Sequence, residues 1–293
     1  MTTTVTITGT GCPIPTPDRA GPGVLVTYGD IHLQFDAGRA TVNRLMAANS
    51  SPNRLTAVFL THHHSDHTMG LQDVVITRWI MERNQPHAPL TIVAPAGPAV
   101  TFAERMLDVW SDDLAVRQHH TGRTTAPTLD LRSFPNPDGI VEVWRSDGAG
   151  EGSGTSEGVV TVKAGQVRHE PVLPAVGFRV ETPDGIIAIT GDTLVCDEVA
   201  ELCAGADIVV YEALRFSQID PKAPNGFIRD YHADTAAIGT QLADMDIPTL
   251  VLTHLIPPPR NEAEEQGFRE DVVNGGYGGD VIVARDLTSV TLG

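Results

Sequence analysis

Leu55-Thr56-Ala57-Val58-Phe59-Leu60-Thr61-His62-His63-His64-Ser65-Asp66-His67 is the stretch that decides the fold. Its first part is a continuous apolar run of strand length, the pattern of a strand buried on both faces. It ends directly at a cluster of ligand-type side chains. In an extended segment residues i and i+2 point the same way, so His62 and His64 can chelate one ion together. Asp66 and His67 follow at a turn and can serve a second ion nearby. Histidine is the commonest metal ligand, and carboxylates complete catalytic sites that keep a position open. A register starting at His63 puts Ser65 where a second histidine belongs and leaves no Asp-His pair, so His63 reads as a bystander.

Working outward, residues 5–8 alternate as a strand and are broken by Gly9-Thr10-Gly11-Cys12-Pro13. Gly23–Tyr28 is a second strand, turned by Gly29-Asp30 into a third at residues 31–36, a good hairpin signal. Val42, Leu45 and Met46 have helical spacing, as do Phe102, Met106 and Val109 after a strand at residues 90–94. The second half repeats this logic. Strands at residues 159–163, 176–181 and 186–190 lead to the Gly191-Asp192-Thr193 turn, and a helix follows around Val199, Leu202 and Cys203. A strand at residues 208–211, a helix at 236–243 and a strand at 249–253, ending at His254, complete the order. Two such halves, each placing polar residues just past strand ends, predict an α/β fold of four layers, an αββα sandwich. Residues 148–158 are rich in Gly, Ser, Ala and acid and form the best linker candidate. The motifs on its two sides complete one site, so residues 1–293 read as one domain.

The chain has 293 residues, 41% hydrophobic and 19% charged, ordinary for a globular protein able to bury a sizeable core. Its formal net charge is -17, from 20 Lys and Arg against 37 Asp and Glu. A surface that acidic repels polyanions at long range, so no nucleic acid partner is expected. The three cysteines, Cys12, Cys196 and Cys203, are few and form no CxxC pair, which suits buried thiols in a reducing cytoplasm. The N-terminus has neither a basic nor an apolar leader region, and the apolar runs are strand-sized. A cytoplasmic protein with no membrane contact is expected.

The strand followed by Thr61-His62-His63-His64-Ser65-Asp66-His67 resembles the signature of the metallo-β-lactamase superfamily, and the resemblance extends over nearly the whole chain. It implies a third histidine, a bridging aspartate and a last histidine, each after a strand. His169, Asp192 and His254 stand in those places. The implied centre has His62, His64 and His169 on one divalent metal, and Asp66, His67 and His254 on the other, with Asp192 bridging. The nitrogen-rich set favours Zn2+, with Mn2+ or Fe2+ as alternatives. The superfamily's di-iron redox members usually carry Glu at the position of His64, and its β-lactamases lack the bridging Asp, so hydrolysis of something other than an antibiotic is implied.

Val210-Tyr211-Glu212-Ala213, read as lying just past a strand, and Asp230-Tyr231-His232-Ala233-Asp234-Thr235 resemble the ribonuclease Z and arylsulfatase-like branch. The implied catalytic residues are His232, donating a proton to the leaving oxygen, Glu212, orienting it, and Asp66, orienting the attacking water. Tyr211 and Leu214 depart from the branch's pattern, where His and Thr are frequent. Ribonuclease Z grips tRNA with an arm after the third metal histidine, and only six residues, 170–175, separate His169 from the next strand. With the acidic charge, this leads to the expectation of a compact substrate: a sulfate ester, phosphodiester or lactone. A tRNA 3′-processing endonuclease and a non-catalytic binding or sensory protein of the same fold are the alternatives, and relatives imply a homodimer. Residues 108–122 and Leu255-Ile256-Pro257-Pro258-Pro259-Arg260 are candidate walls of the substrate pocket.

Overall fold

The computed structural model describes residues 1–82, 88–146 and 158–293. The linker expected at 148–158 falls, but for Gly158, outside them. The first sheet contains β1 (Thr4–Gly9), β2 (Gly23–Tyr28), β3 (Ile31–Phe35), β4 (Ala57–Phe59), β5 (Leu90–Pro95) and β6 (Leu129–Phe134). The second contains β7 (Val141–Arg145), β8 (Thr161–Gln166), β9 (Val176–Thr182), β10 (Gly185–Ile189), β11 (Ile208–Leu214), β12 (Thr249–Ile256) and β13 (Asp280–Val283). The last strand, β14 (Ser289–Thr291), returns to the edge of the first sheet beside β1. The orders are β14-β1-β2-β3-β4-β5-β6 and β13-β12-β11-β10-β9-β8-β7.

In the first sheet β14, β1, β2 and β3 pair antiparallel and β3 to β6 parallel; in the second β7 to β10 pair antiparallel and β10 to β13 parallel. The parallel strands β4 and β11 are buried throughout, which explains their apolar runs. In β4, Ala57 and Phe59 face the second sheet, while Val58 and Leu60 face the outer helices. In β11, Ile208 and Val210 face inward and Val209 and Tyr211 outward. Between the sheets Phe35, Phe59 and Phe178 meet with ring centroids 4.8–5.5 Å apart.

The helices cover the outer faces. On the first sheet lie α1 (Thr41–Ala47), α3 (Leu71–Met81) and α4 (Pro98–Arg105), with the one-turn α2 (Ser65–Thr68) between α1 and α3 and α5 (Ser111–Thr121) after α4. On the second sheet lie α6 (Asp197–Cys203), α7 (Thr235–Leu242) and α8 (Glu262–Asn274). The four-layer αββα arrangement is the one the sequence pattern predicts. At the periphery it differs. Met46, expected on the buried face of α1, is 51% exposed, and only Thr41 and Leu45 of that helix are buried.

Two strand ends also differ. The sequence pattern puts Glu212 and His254 just past strands, but β11 and β12 continue through both. The parallel pairing shifts register there: Glu212 faces Thr253 and Ala213 faces Leu255, so His254 is the extra residue of a bulge, with φ 46°. Bulges re-aim side chains beside functional sites, and this one releases His254 from the ladder without ending the strand.

Candidate active site

The sequence-predicted residues converge where the parallel strands of both sheets reach their carboxyl ends, the usual place for sites in α/β sheets. Asp36 follows β3, the histidine cluster follows β4, His169 follows β8 and Asp192 follows β10, while Glu212 and His254 lie in β11 and β12. Gly38 allows the first of these loops to close in: a Cβ there would sit 2.5 Å from the carbonyl oxygen of Asp66.

His62, His64, His169 and Asp192 present ligand-type atoms all within 4.8 Å of one another, and so do Asp66, His67 and His254. Within the first group His169 Nε2 lies 3.3 Å from His64 Nδ1, and both His62 Nε2 and His169 Nε2 lie 3.9 Å from Asp192 Oδ2. Within the second, His254 Nε2 is 3.4 Å and His67 Nε2 3.7 Å from Asp66 Oδ2. Asp192 Oδ2 also stands 3.3 Å from His67 and 3.4 Å from His254, between the groups. Donor atoms about 2.0–2.2 Å from a tetrahedral ion lie roughly 3.3–3.6 Å from each other, so these separations suit metal coordination. His63 stays outside both groups.

The hydrogen bonds fit the same use. His67 Nδ1 bonds Asp36 Oδ2 at 2.7 Å, His62 Nδ1 bonds Thr61 Oγ1 at 2.9 Å, and His169 Nδ1 donates to the Tyr231 carbonyl at 2.9 Å. Such bonds fix ring orientation and tautomer, leaving the other nitrogen free to ligate. His62 Nε2, Asp66 Oδ2, His67 Nε2, Asp192 Oδ1 and His254 Nε2 are buried and have no hydrogen-bond partner among the described residues. Buried polar atoms left this way are costly unless something else meets them, and a cluster of them facing one another fits cations.

Burial pushes His62 and His169 below the ordinary histidine value and His64 down to about 4, in the neutral form that ligates metals. Burial acts against charge on Asp66 too, but the nearby His254 and His67 outweigh it and keep the carboxyl below its usual range. The Asp192 carboxyl is held well below its usual range, as His254 and His67 outweigh its burial.

His232 lies beside this cluster. Its Nδ1 bonds Glu212 Oε1 at 2.9 Å, an oxygen that also accepts from the backbone N–H groups of Thr193 and Ala233 at 3.1 Å. One ring nitrogen of His232 lies within 4.8 Å of the ligand atoms of Asp192 and His254. Burial lowers its pKa, but the Glu212 carboxylate outweighs that and holds it at about 9.

The sequence pattern does not single out Asp36, which accepts from Thr61 N at 2.9 Å and Thr61 Oγ1 at 2.8 Å as well as meeting His67. A signal for it exists: a carboxylate closing an alternating strand, one strand before the histidines. Parts of the two expected pocket walls border clefts away from these groups. Asp108 and Val109 border a cleft of about 810 Å³ beside α3 and α4, and Pro257, Pro258 and Arg260 border one of about 280 Å³ against Arg215 and Phe268. Neither cleft is lined by a residue of the metal-type groups.

A sequence model described as Beta-lactamase superfamily domain matches residues 30–255. A ribonuclease Z of Mycobacterium bovis is 35% identical over 266 residues, 89% of each chain. Among solved structures, the metallo-β-lactamase fold protein YhfI from Bacillus subtilis superposes with a TM-score of 0.72 at 18% identity, covering 99% of this chain and all of that one. The short form of human tRNase Z superposes with a TM-score of 0.67 at 21% identity, covering 99% of both.

The ribonuclease relatives overturn the expectation of a small-molecule ester substrate and of no nucleic acid partner. That expectation weighs net charge too heavily. At physiological ionic strength charges are screened beyond about 8 Å, so the local charge at the site mouth matters more than the sum over the surface. Most arginines of this chain are also tied to carboxylates, as in Arg44–Asp286, Arg168–Glu198 and Arg215–Asp271.

Proposed function

The chain belongs to the metallo-β-lactamase superfamily, in the branch of its ribonuclease Z relatives, and from that premise we propose that it is a metal-dependent endonuclease hydrolysing RNA phosphodiesters, with precursor tRNA 3′ ends as its substrate. What carries the reading is a geometry: seven ligand-type residues, all but the half-buried His64 fully buried, with His232 beside them, anchored on Glu212 at 2.9 Å. The proposed ligands are His62, His64, His169 and Asp192 for one ion, and Asp66, His67, His254 and the same Asp192 for the other, with zinc favoured by the many nitrogens. Two divalent cations bound there would lower the pKa of a water toward neutrality and neutralise charge on the phosphodiester.

The protein's own groups do the rest. Asp66 orients the attacking water. As that water's oxygen bonds to phosphorus, the P–O bond to the leaving nucleoside breaks, and His232 gives its proton to the departing oxygen. Glu212 keeps the His232 ring turned and favours its protonated form. Residues 1–293 act as one catalytic domain in this scheme, since the two sheets share the core between them and both supply site residues.

The same proposal includes a cytoplasmic homodimer. Three unpaired, buried cysteines suit a reducing compartment, and exposed Val109, Trp110 and Val116 form an apolar surface available for association. Among the described residues no helix is long and apolar enough to cross a membrane.

The test is cleavage of a precursor tRNA by protein loaded with zinc or manganese, followed on a gel and compared with chelator-treated protein. A metal-dependent cut on the 3′ side is expected. Intact precursor at full metal loading would sink the reading.

A further inference from the structure

The link from His169 to β9 is six residues, too short for a projecting arm, so an RNA strand has to be held by something else. Among the described residues, the segment joining β11 to α7 carries exposed groups suited to that. From the proposed metal ligand His169 a series of rings steps outward: Tyr231 lies 5.2 Å from His169 and 4.8 Å from His232, and Phe227 lies 6.1 Å from Tyr231. Phe227 is 57% exposed although it is large and apolar. It borders an open concavity of about 490 Å³ with Phe216, Pro221, Pro224 and Arg229.

The charge there differs from that of the whole molecule. Residues 216–231 carry Lys222 and Arg229 against Asp220 and Asp230, a balance of zero in a chain of -17. Arg229 lies over the Phe216 ring at 4.3 Å, and neither it nor Lys222 forms an ion pair among the described residues. An exposed aromatic face next to a guanidinium, in a patch that does not repel anions, is how proteins hold unpaired nucleotides: the ring stacks on a base and the cation meets a phosphate.

We infer that Phe227 is a stacking platform for an unpaired base of the RNA next to the scissile phosphodiester, with Arg229 meeting the adjoining phosphate. This inference rests on the nuclease proposed above and adds the surface that receives its substrate. Because the ring is exposed, Phe227→Ala should leave folding intact, and metal stoichiometry provides the control for it.

The experiment uses the metal-loaded full chain and a precursor RNA carrying 2-aminopurine at successive positions around the cleavage site. Binding should quench one position by stacking. Phe227→Ala should abolish that quench and raise KM about 5- to 150-fold, with kcat falling less, while Phe227→Trp restores both. Removing the stacked base should harm the unaltered protein as much as Phe227→Ala does, and the two changes together should cost no more than either alone. Arg229→Gln should reduce the slope of log affinity against log salt by about one. If the RNA is cut and Phe227→Ala leaves quench and KM unchanged, the platform is refuted and the nuclease stands. If the unaltered protein neither binds nor cuts RNA, both fall.

Discussion

Residues 62–67 bring four ligand-type side chains to the site within six positions, whereas the second half brings His169, Asp192, Glu212, His232 and His254 from five separate loops and strands. The first region is held from below by one buried carboxylate. Asp36 accepts from Thr61 at its start and meets His67 at its end, so the loop is anchored at two points to the neighbouring strand. The second region is tied at several points: Glu212 Oε1 accepts from Thr193 beside Asp192 and from Ala233 beside His232, and the Leu194 N–H donates to the Arg168 carbonyl beside His169. Glu212 orients His232, the Tyr231 carbonyl orients His169, and a bulge orients His254, whose Nδ1 and Nε2 both lack hydrogen-bond partners among the described residues. The first half is thus fixed locally by one buried carboxylate, while the second is assembled from several long-range contacts, with His254 placed by a bulge.

The sharpest way to break this comparison is at Asp192, which stands between the two groups. Asp192→Ala should take metal content from about two ions per chain to one or none, and most activity with it, because two cations without a shared carboxylate repel one another. Elemental analysis after reconstitution checks this. Normal stoichiometry in the variant would show that the halves do not need a bridge.

His232→Ala tests the second half without touching a proposed ligand. Turnover should fall about 10²–10⁴-fold with metal content unchanged, and least on substrates with good leaving groups. Equal damage across leaving groups would contradict the proton donor and leave His232 a binding role.

Asp36→Asn sharpens the first half. Groups that hold ligating histidines are worth about 10–100-fold in metal affinity, and a loss of that size is expected in a chelator competition. An unchanged affinity would mean the cluster after β4 is rigid without its anchor.

The smallest effect concerns pH. His232 has a raised pKa, about 9, so its proton-donating form is complete at neutral pH and is lost as pH rises through that value. Activity should therefore fall on the alkaline side. Glu212→Gln removes the charge that opposes burial, so the alkaline limb should move toward lower pH. Cations bound at the site would lower the limb in both proteins, so the comparison is between the two profiles. Superimposable profiles would separate Glu212 from proton donation.

Part of this site is legible in the amino-acid sequence alone. The spacing of His62, His64, Asp66 and His67 is a local property, since an extended backbone and one helical turn dictate where those side chains point. The apolar runs of β4 and β11 likewise name themselves, because strands buried on both faces read as continuous hydrophobic runs. The position of His254 within a bulge is not legible there, because a register shift belongs to the pairing of β11 with β12 and to neither strand alone. The role of Asp36 is hidden for the same reason: its partners Thr61 and His67 are 25 and 31 residues away.

The substrate expectation fails at the same boundary. Net charge is a sum that sequence determines completely, but an approaching strand meets the charges exposed within a Debye length of the mouth. Which arginines are neutralised by carboxylates, and that the 216–231 segment comes to lie beside His169, are facts of tertiary contact. By itself the sequence determined the layered fold and the donor chemistry, since both follow from periodicity and from residue type at short range. How the two halves meet, which carboxylate holds His67 from beneath and which aromatic faces the solvent came from the structure, because those depend on groups far apart in the chain being brought within a few ångströms.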